Sequence, residues 1–120
     1  MERVAVVGAS TKPDRYSYKA VQLLQKKGHE PIPVAPGKEQ VQGLKAYKAV
    51  LEIPGKVDTV TLYVRPSVLK RLADGIISKG PSRVIMNPGT EDEEVRSKFE
   101  QAGITVTEAC TLVLLSTGQF

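Results

Sequence analysis

The chain has 120 residues, of which 41% are hydrophobic and 25% charged, and this balance predicts one ordered domain rather than a disordered chain. Its 17 basic and 13 acidic residues are interspersed, so the net charge of +4 favours a small anionic ligand over a nucleic acid. The single cysteine, Cys110, excludes an intrachain disulfide and a cysteine-rich zinc site, and it is typical of a cytoplasmic protein. The first apolar run has four residues, too few for a signal sequence or a membrane span.

Residues 4–13 predict a strand, a tight turn and the approach to a helix. Val4 to Val7 is an unbroken apolar run, typical of a parallel strand covered on both faces, and we expect it at the centre of the sheet. Gly8 allows the chain to leave that strand sharply. A one-faced apolar pattern predicts the helix over residues 17–27, with Ser17 as its N-cap. A junction of this kind holds phosphate groups, because backbone N–H groups at the helix start point toward the ligand.

The rest of the chain predicts further strands that alternate with helices. The expected strands are Glu30–Val34, Thr59–Val64, Arg83–Met86 and Ile104–Thr107. The expected helices follow Arg65-Pro66, start at the acidic run Glu91–Glu94 and occupy the tail Ala109–Leu115, where periodicity alone does not distinguish helix from strand. Pro31 and Pro33 have no N–H group, so the pairing of the second strand should be limited on one side. Residues 39–54 lack a clear period and fit either a short strand or a helical turn.

This order of elements indicates a single α/β domain over residues 1–120. We expect a doubly wound, Rossmann-like fold with a mostly parallel sheet of about five strands and helices on both faces. Ligands of such sheets bind beyond the carboxyl ends of the strands, where the winding reverses. The stretches predicted to meet there are Gly8–Pro13, Pro36–Lys38, Val64–Pro66 and Asn87–Gly89.

The sequence argues against NAD as the ligand. The turn at Gly8 lacks the further glycines of the motif G-x-G-x-x-G, and no acidic residue follows the second strand to accept from the ribose hydroxyls. Lys38 follows that strand instead. A lysine there favours a phosphate, such as that of NADP or the 3′-phosphate of coenzyme A, although a solvated loop lysine is the simpler alternative.

Four spaced motifs resemble the stand-alone coenzyme A-binding domain family, whose members are similar to the N-terminal domain of the succinyl-CoA ligase α subunit. The motifs are Val-Val-Gly-Ala-Ser at residues 6–10, Pro-Val-Ala-Pro-Gly-Lys at residues 33–38, Val64-Arg65-Pro66 and Glu108-Ala109-Cys110. The resemblance covers essentially the whole chain. The arginine that usually precedes the family's cysteine is Ala109 here, which weakens any role that needs it.

The resemblance implies a site for coenzyme A or an acyl-CoA, with contacts assigned motif by motif. Around the pyrophosphate and adjoining pantetheine it implies Gly8, Ala9, Ser10, Thr11 and Lys12. At the adenosine end it implies Pro36, Gly37 and Lys38, with Lys38 near the 3′-phosphate. Beside the adenine or pantetheine it implies Val64, Arg65 and Pro66, and further along the edge Asn87, Pro88 and Gly89.

No catalytic constellation emerges from the sequence, so the expected function is non-catalytic binding of coenzyme A or an acyl-CoA. His29 is predicted at the opposite end of the sheet, and Cys110 has no histidine to activate it, so we expect it to pack rather than react. A mixed disulfide between Cys110 and the ligand thiol is a further hypothesis. The alternatives are an NADP- or nucleotide-binding enzyme subunit that needs a partner for catalysis, and an interaction module that dimerises through its tail, Leu112–Leu115. No nucleic-acid or membrane partner is expected.

Overall fold

The unbroken apolar run at the start of the chain forms a strand that contributes to two separate cores. The structure, a computed structural model, describes residues 1–120. Strand β1 covers Arg3–Val7. Successive strand residues face opposite sides of a sheet, so Ala5 and Val7 pack into the larger core while Val4 and Val6 pack into the smaller one. Apolar residues are therefore needed at every position.

The remaining elements alternate as the sequence predicts. The strands that follow are β2 (Glu30–Val34), β3 (Gln40–Val41), β4 (Leu44–Lys45), β5 (Thr59–Leu62), β6 (Arg83–Met86) and β7 (Thr105–Glu108). The helices are α1 (Tyr16–Lys26), α2 (Pro66–Lys79), α3 (Glu93–Gln101) and α4 (Thr111–Ser116). None of these helices is long and apolar enough to cross a membrane.

Five strands form one parallel sheet in the order β2-β1-β5-β6-β7, which confirms the Rossmann-like α/β prediction. Helices α2 and α3 cover the face with the larger core, and α1 and α4 cover the other. The expectation that β1 is the central strand is wrong, since β5 holds that place. Strand β5 is buried on both faces although two of its four residues are threonines, so an unbroken apolar run indicates a covered strand and not the central one.

The second strand lies at the edge of the sheet, which agrees with the limited pairing that its prolines predict. Strand β2 pairs with β1 along its length, and on its other side it meets only an isolated bridge between Val34 and Tyr47. The N–H of Ala35 donates to the Tyr47 carbonyl at 2.9 Å, and the N–H of Tyr47 donates to the Pro33 carbonyl at 3.0 Å. Pro33 thus contributes only a carbonyl, which is all a proline can offer.

Residues 39–54, which periodicity leaves open, form a small antiparallel hairpin and a turn. Strands β3 and β4 pair with each other outside the main sheet. The chain then passes Tyr47 and makes a turn of 3-10 helix at Val50–Glu52, which packs against α2. The segment therefore covers the β2 edge near its carboxyl end.

Two helix starts differ in detail from the sequence prediction. Helix α1 begins one residue before Ser17, because Arg15 is extended and its carbonyl accepts the first helical bond from Lys19 at 3.2 Å. Ser17 is buried inside the first turn rather than capping it. In α3 the acidic run supplies the cap, since Asp92 accepts from the N–H of Val95 at 3.0 Å.

Candidate ligand-binding site at the carboxyl edge of the sheet

The winding reverses between β1 and β5, and the chain segments leaving these strands touch there. Gly8, which follows β1, has φ +87°, and a Cβ at this position would lie 2.6 Å from the Tyr63 carbonyl oxygen. The same atom would lie 3.2 Å from Cγ1 of Val64. Only glycine fits both the backbone angle and the contact, so the two loops can approach closely at the expected ligand position.

The loop between β1 and α1 divides into a fixed part and an exposed part. The N–H groups of Gly8 and Ala9 both donate to the Val34 carbonyl, at 3.1 and 3.3 Å, so they hold the loop against β2. The N–H groups of Ser10 and Thr11 have no acceptor within the protein. The Ser10 hydroxyl accepts from the N–H of Lys12 at 3.0 Å and shapes the turn. Two of the five predicted loop residues therefore position the loop, and the outer residues carry the free donors.

The start of α1 adds further donors beside this loop. As in any helix, the N–H groups of its first turn lack intrahelical acceptors and carry a partial positive charge. Arg15 at the N-cap and Lys12 in the loop are both exposed, and neither forms an ion pair. Arg15 was not among the predicted site residues, because its place at the cap depends on where the helix starts.

The turn after β2 has the geometry that its sequence requires. Pro36 and Gly37 are its central residues, Gly37 has φ +83°, and the N–H of Lys38 donates to the Ala35 carbonyl at 3.2 Å. Proline followed by a glycine with positive φ defines a type II turn. All three residues from Pro36 to Lys38 are exposed, and Lys38 forms no ion pair.

An apolar cavity of about 420 Å³ opens between the end of the sheet, α2 and the 3-10 turn. This volume lies within the usual range for small-molecule sites. The cavity brings together three of the predicted site residues, Gly8, Pro36 and Val64. Lys48 and Arg71 also line it and are its only charged residues. We call it the apolar cavity.

Most of the residues that line the apolar cavity were not among the predicted site residues. The segment Lys48–Leu51 forms one wall, and no periodic pattern marks it in the sequence. From α2, Val68 and Leu72 are only half buried and face the cavity. Gly75 leaves room beside them for Leu51, whose Cδ1 would lie 3.7 Å from an added Cβ.

A second, more open cavity of about 670 Å³ adjoins the first, and most of the residues that line it are charged or polar. It is lined by Lys38, Lys45 and Lys48 together with Glu39 and Glu52. Lys48 lines both cavities. We call this second space the lysine cavity.

Several basic residues of the loops and cavities at the carboxyl edge form no ion pair. They are Lys12, Arg15, Lys38, Lys45, Lys48, Arg65 and Arg71. At the amino ends of the strands Arg3 pairs with Glu30, Lys56 with Asp58 and Arg83 with Glu2, whereas Lys27 at the end of α1 is unpaired. The carboxyl edge therefore presents unpaired positive charge where the ligand is expected, and this charge favours an anion.

Asn87, predicted as a ligand contact, is buried and uses its side chain inside the protein. Its Nδ2 donates to Thr61 Oγ1 at 2.7 Å and to the Leu62 carbonyl at 2.8 Å. Its Oδ1 accepts from the N–H of Thr111 at 2.8 Å. Both amide hydrogens are thus occupied, so this side chain joins the end of β6 to β5 and to α4. Pro88 and Gly89 beside it are exposed, and the Gly89 N–H donates to Glu91 at 2.7 Å.

The remaining predicted residues lie along the same edge outside both cavities. Arg65 is the N-cap of α2 and is exposed, and Pro66 is the first residue of that helix. Cys110 is half buried at the N-cap of α4. His29 lies at the opposite edge, where its Nδ1 accepts from the N–H of Glu2 at 3.0 Å, as its place before β2 predicts.

Tyr63 has a buried hydroxyl without a hydrogen-bond partner next to this network. The Thr61 and Thr111 hydroxyls nearby bond to each other at 2.7 Å. Burial raises the pKa of Tyr63 from 10.0 to about 12, and these two hydroxyls offset only part of that rise. The neutral phenol is therefore the form that the fold accommodates.

The buried phenol predicts a stability loss at high pH that Tyr63→Phe should remove. Between pH 10 and about 12 the unfolded chain releases the Tyr63 proton while the folded chain keeps it. The unfolded state then binds fewer protons, so the free energy of unfolding falls as pH rises, by about 1 kcal/mol at pH 11. Below pH 10 this contribution is fully present. Urea unfolding at pH 8 and pH 11 should show a smaller drop for Tyr63→Phe than for wild type, and an equal drop would contradict the assignment. Tyr16→Phe, at an exposed tyrosine, is the control.

An apolar cavity at the reversal point of the sheet, with free amides and unpaired basic residues around it, lies where doubly wound α/β folds bind their ligands. The sequence profile of the CoA-binding domain family matches residues 2–116. The chain therefore belongs to the CoA-binding domain family.

Individual relatives include both small proteins and much longer ligase subunits. The chain is 32% identical over 105 residues to the Bacillus subtilis protein YneT, covering 88% of this chain and 78% of YneT. It is 37% identical over 84 residues to the acetate–CoA ligase (ADP-forming) II subunit alpha of Pyrococcus furiosus, covering 69% of this chain and 18% of that subunit. A solved structure of a Pyrococcus horikoshii OT3 protein superposes with a TM-score of 0.93 at 32% identity, over 97% of this chain and 82% of that one.

Proposed function

We propose that this protein binds coenzyme A or an acyl-CoA without catalysing a reaction on it. The observation that carries the proposal is the apolar cavity at the reversal of the sheet, which adjoins a cavity lined by unpaired lysines. Coenzyme A combines a flat aromatic base, whose faces pack against apolar side chains, with several phosphates, and this pair of cavities matches that combination. Membership of the family supports the same ligand.

Each part of the ligand has a counterpart among the residues of the edge. The adenine would occupy the apolar cavity beside Val64. The pyrophosphate would accept from the free N–H groups of Ser10 and Thr11, near Lys12 and Arg15. The 3′-phosphate would lie near Lys38, and the pantetheine would run past Pro66 toward the exposed Pro88 and Gly89. The ligand would thereby neutralise basic residues that have no partner within the protein.

Calorimetric titration with coenzyme A, NADP and ATP tests the proposal directly. We expect coenzyme A to bind with a dissociation constant well below 1 mM, a threshold of about 4 kcal/mol, and more tightly than the other two. The proposal fails if coenzyme A does not bind below about 1 mM. Ligand that copurifies with the native protein would identify the acyl group.

Lys38→Ala should weaken coenzyme A more than dephospho-coenzyme A. An ionic hydrogen bond to a phosphate contributes about 1.5–3 kcal/mol, so the loss should be about tenfold or more for coenzyme A and small for the ligand without the 3′-phosphate. Isothermal titration of both ligands measures it. Equal losses of affinity for the two ligands would show that the 3′-phosphate does not lie near Lys38.

A second candidate is a nucleotide-binding subunit that depends on a partner enzyme. Its support is the similarity to a protein named as a ligase subunit, of which this chain matches 18%. In that case NADP or ATP would bind more tightly than coenzyme A in the same titration. Either candidate fits a cytoplasmic location, because the chain has a single cysteine and because coenzyme A, NADP and ATP are all intracellular metabolites.

A further inference from the structure

One wall of the lysine cavity is the segment around Tyr47 and Lys48, whose backbone is hydrogen-bonded to the sheet. Tyr47 is held in line with β2 by its hydrogen bonds to Ala35 and Pro33, at 2.9 and 3.0 Å. The next residue is Lys48, so its backbone position at the end of β2 is set by the sheet. Lys45 Nζ lies 5.2 Å from the centre of the Tyr47 ring, a cation–π contact that orients this lysine as well.

The three lysines of this cavity form an unsatisfied positive site. Lys38, Lys45 and Lys48 line it with Glu39 and Glu52, yet no lysine lies within 4.0 Å of either carboxylate. The lining thus has an excess of one positive charge, and its three ammonium groups remain free to donate. A phosphate monoester has three terminal oxygens that accept hydrogen bonds, one for each ammonium group, whereas a diester has only two, so the monoester matches this lining better.

Lys48 lies between the lysine cavity and the apolar cavity. It is the only residue that lines both the apolar cavity and the lysine cavity. A nucleotide with its base in the first and a ribose phosphate in the second would therefore pass Lys48. Lys38, in contrast, lines only the lysine cavity.

We infer that Lys45 and Lys48 complete with Lys38 a subsite for a ribose phosphomonoester, and that Lys48 shares with Lys38 the dependence of binding on this phosphate. The inference rests on the proposed function and adds to it a further source of selectivity. The chemistry fits either the 3′-phosphate of coenzyme A or the 2′-phosphate of NADP. Nucleotides that lack such a group should bind about tenfold or more weakly.

The test is the ratio of dissociation constants for matched ligands with and without the phosphate. Wild type should bind coenzyme A about tenfold or more tightly than dephospho-coenzyme A. Lys48→Gln keeps the side-chain stem and removes the charge, and it should lower this ratio by about five- to tenfold while leaving dephospho-coenzyme A within about twofold. Lys48→Arg should retain most of the selectivity. Lys27→Gln removes an equal charge at the exposed C-cap of α1, at the opposite edge, and should leave both ligands unchanged.

Each alternative result separates the inference from the proposed function. If wild type binds both forms of coenzyme A equally, or Lys48→Gln weakens both equally, the inference is wrong while coenzyme A binding stands. If NADP binds with the same dependence on its phosphate, relative to NAD, and coenzyme A does not bind, the subsite stands and the proposed ligand is wrong. If none of the four ligands binds, both are wrong. Thermal unfolding of each variant checks that these exposed substitutions leave the fold intact.

Discussion

Gly8→Ala is expected to destabilise the protein by about 3–5 kcal/mol and to weaken coenzyme A binding by about tenfold or more. Alanine at φ +87° costs about 1–2 kcal/mol from the backbone angle alone. Its Cβ would also lie 2.6 Å from the Tyr63 carbonyl oxygen, a backbone atom that moves only if the β5–α2 connection moves. The loops on both sides of the proposed ligand would then separate. Urea unfolding and calorimetric titration measure the two effects.

Gly28→Ala is the matched control for this substitution. Gly28 follows α1 at the opposite edge and has φ +85°, but no heavy atom lies within 4 Å of an added Cβ. Gly28→Ala should therefore lower the free energy of unfolding only by the cost of the backbone angle, about 1–2 kcal/mol, and leave the affinity for coenzyme A unchanged. Equal losses of stability in the two variants would show that the contact with Tyr63 does not constrain the site.

Asn87→Ala is expected to lower the free energy of unfolding by about 3–5 kcal/mol. The substitution removes three hydrogen bonds, and it leaves the Leu62 carbonyl and the Thr111 N–H buried without this partner. An unsatisfied buried group costs about 1–3 kcal/mol, more than the bond itself contributes. Chemical unfolding at pH 7 measures the loss.

Two further variants separate the hydrogen bonds of Asn87 from its packing. Asn87→Asp has nearly the same shape but places a carboxylate oxygen where Nδ2 donates to Leu62, so it should be destabilised as well. Gln22→Ala removes an exposed amide without a side-chain hydrogen bond on α1 and should change stability by less than about 0.5 kcal/mol. If the free energy of unfolding of Asn87→Asp were close to that of wild type, Asn87 would contribute through packing alone.

The elements that could be predicted are those whose signal is local. An unbroken apolar run sufficed to predict β1 as a strand, two prolines indicated limited pairing of β2 on one side, and Gly8 marked the sharp turn after β1. The loops that follow parallel strands must share one edge, so the neighbourhood of the site followed from strand order alone. Family resemblance then narrowed the ligand, which composition and spacing could not do.

The parts that could not be predicted depend on contacts between distant residues. Strands β3 and β4 have two residues each, too short for a period, and Tyr47 lies beside β2 because of hydrogen bonds to Pro33 and Ala35. The wall at Lys48 therefore has no local signature. The same limit applies to Asn87, whose partners lie 24 to 26 residues away, so its sequence motif resembles a ligand contact although its side chain is structural.

The prolines of β2 have a consequence for self-association. An open sheet exposes unpaired N–H and C=O groups along its outer strands, and these can recruit a strand from another molecule and start aggregation. At β2 two of the five residues have no N–H to offer, and the bridge at Tyr47 occupies the carboxyl end. The prolines of β2 leave this edge to the segment that forms the wall of the binding site. They also hinder a strand of another molecule from pairing there.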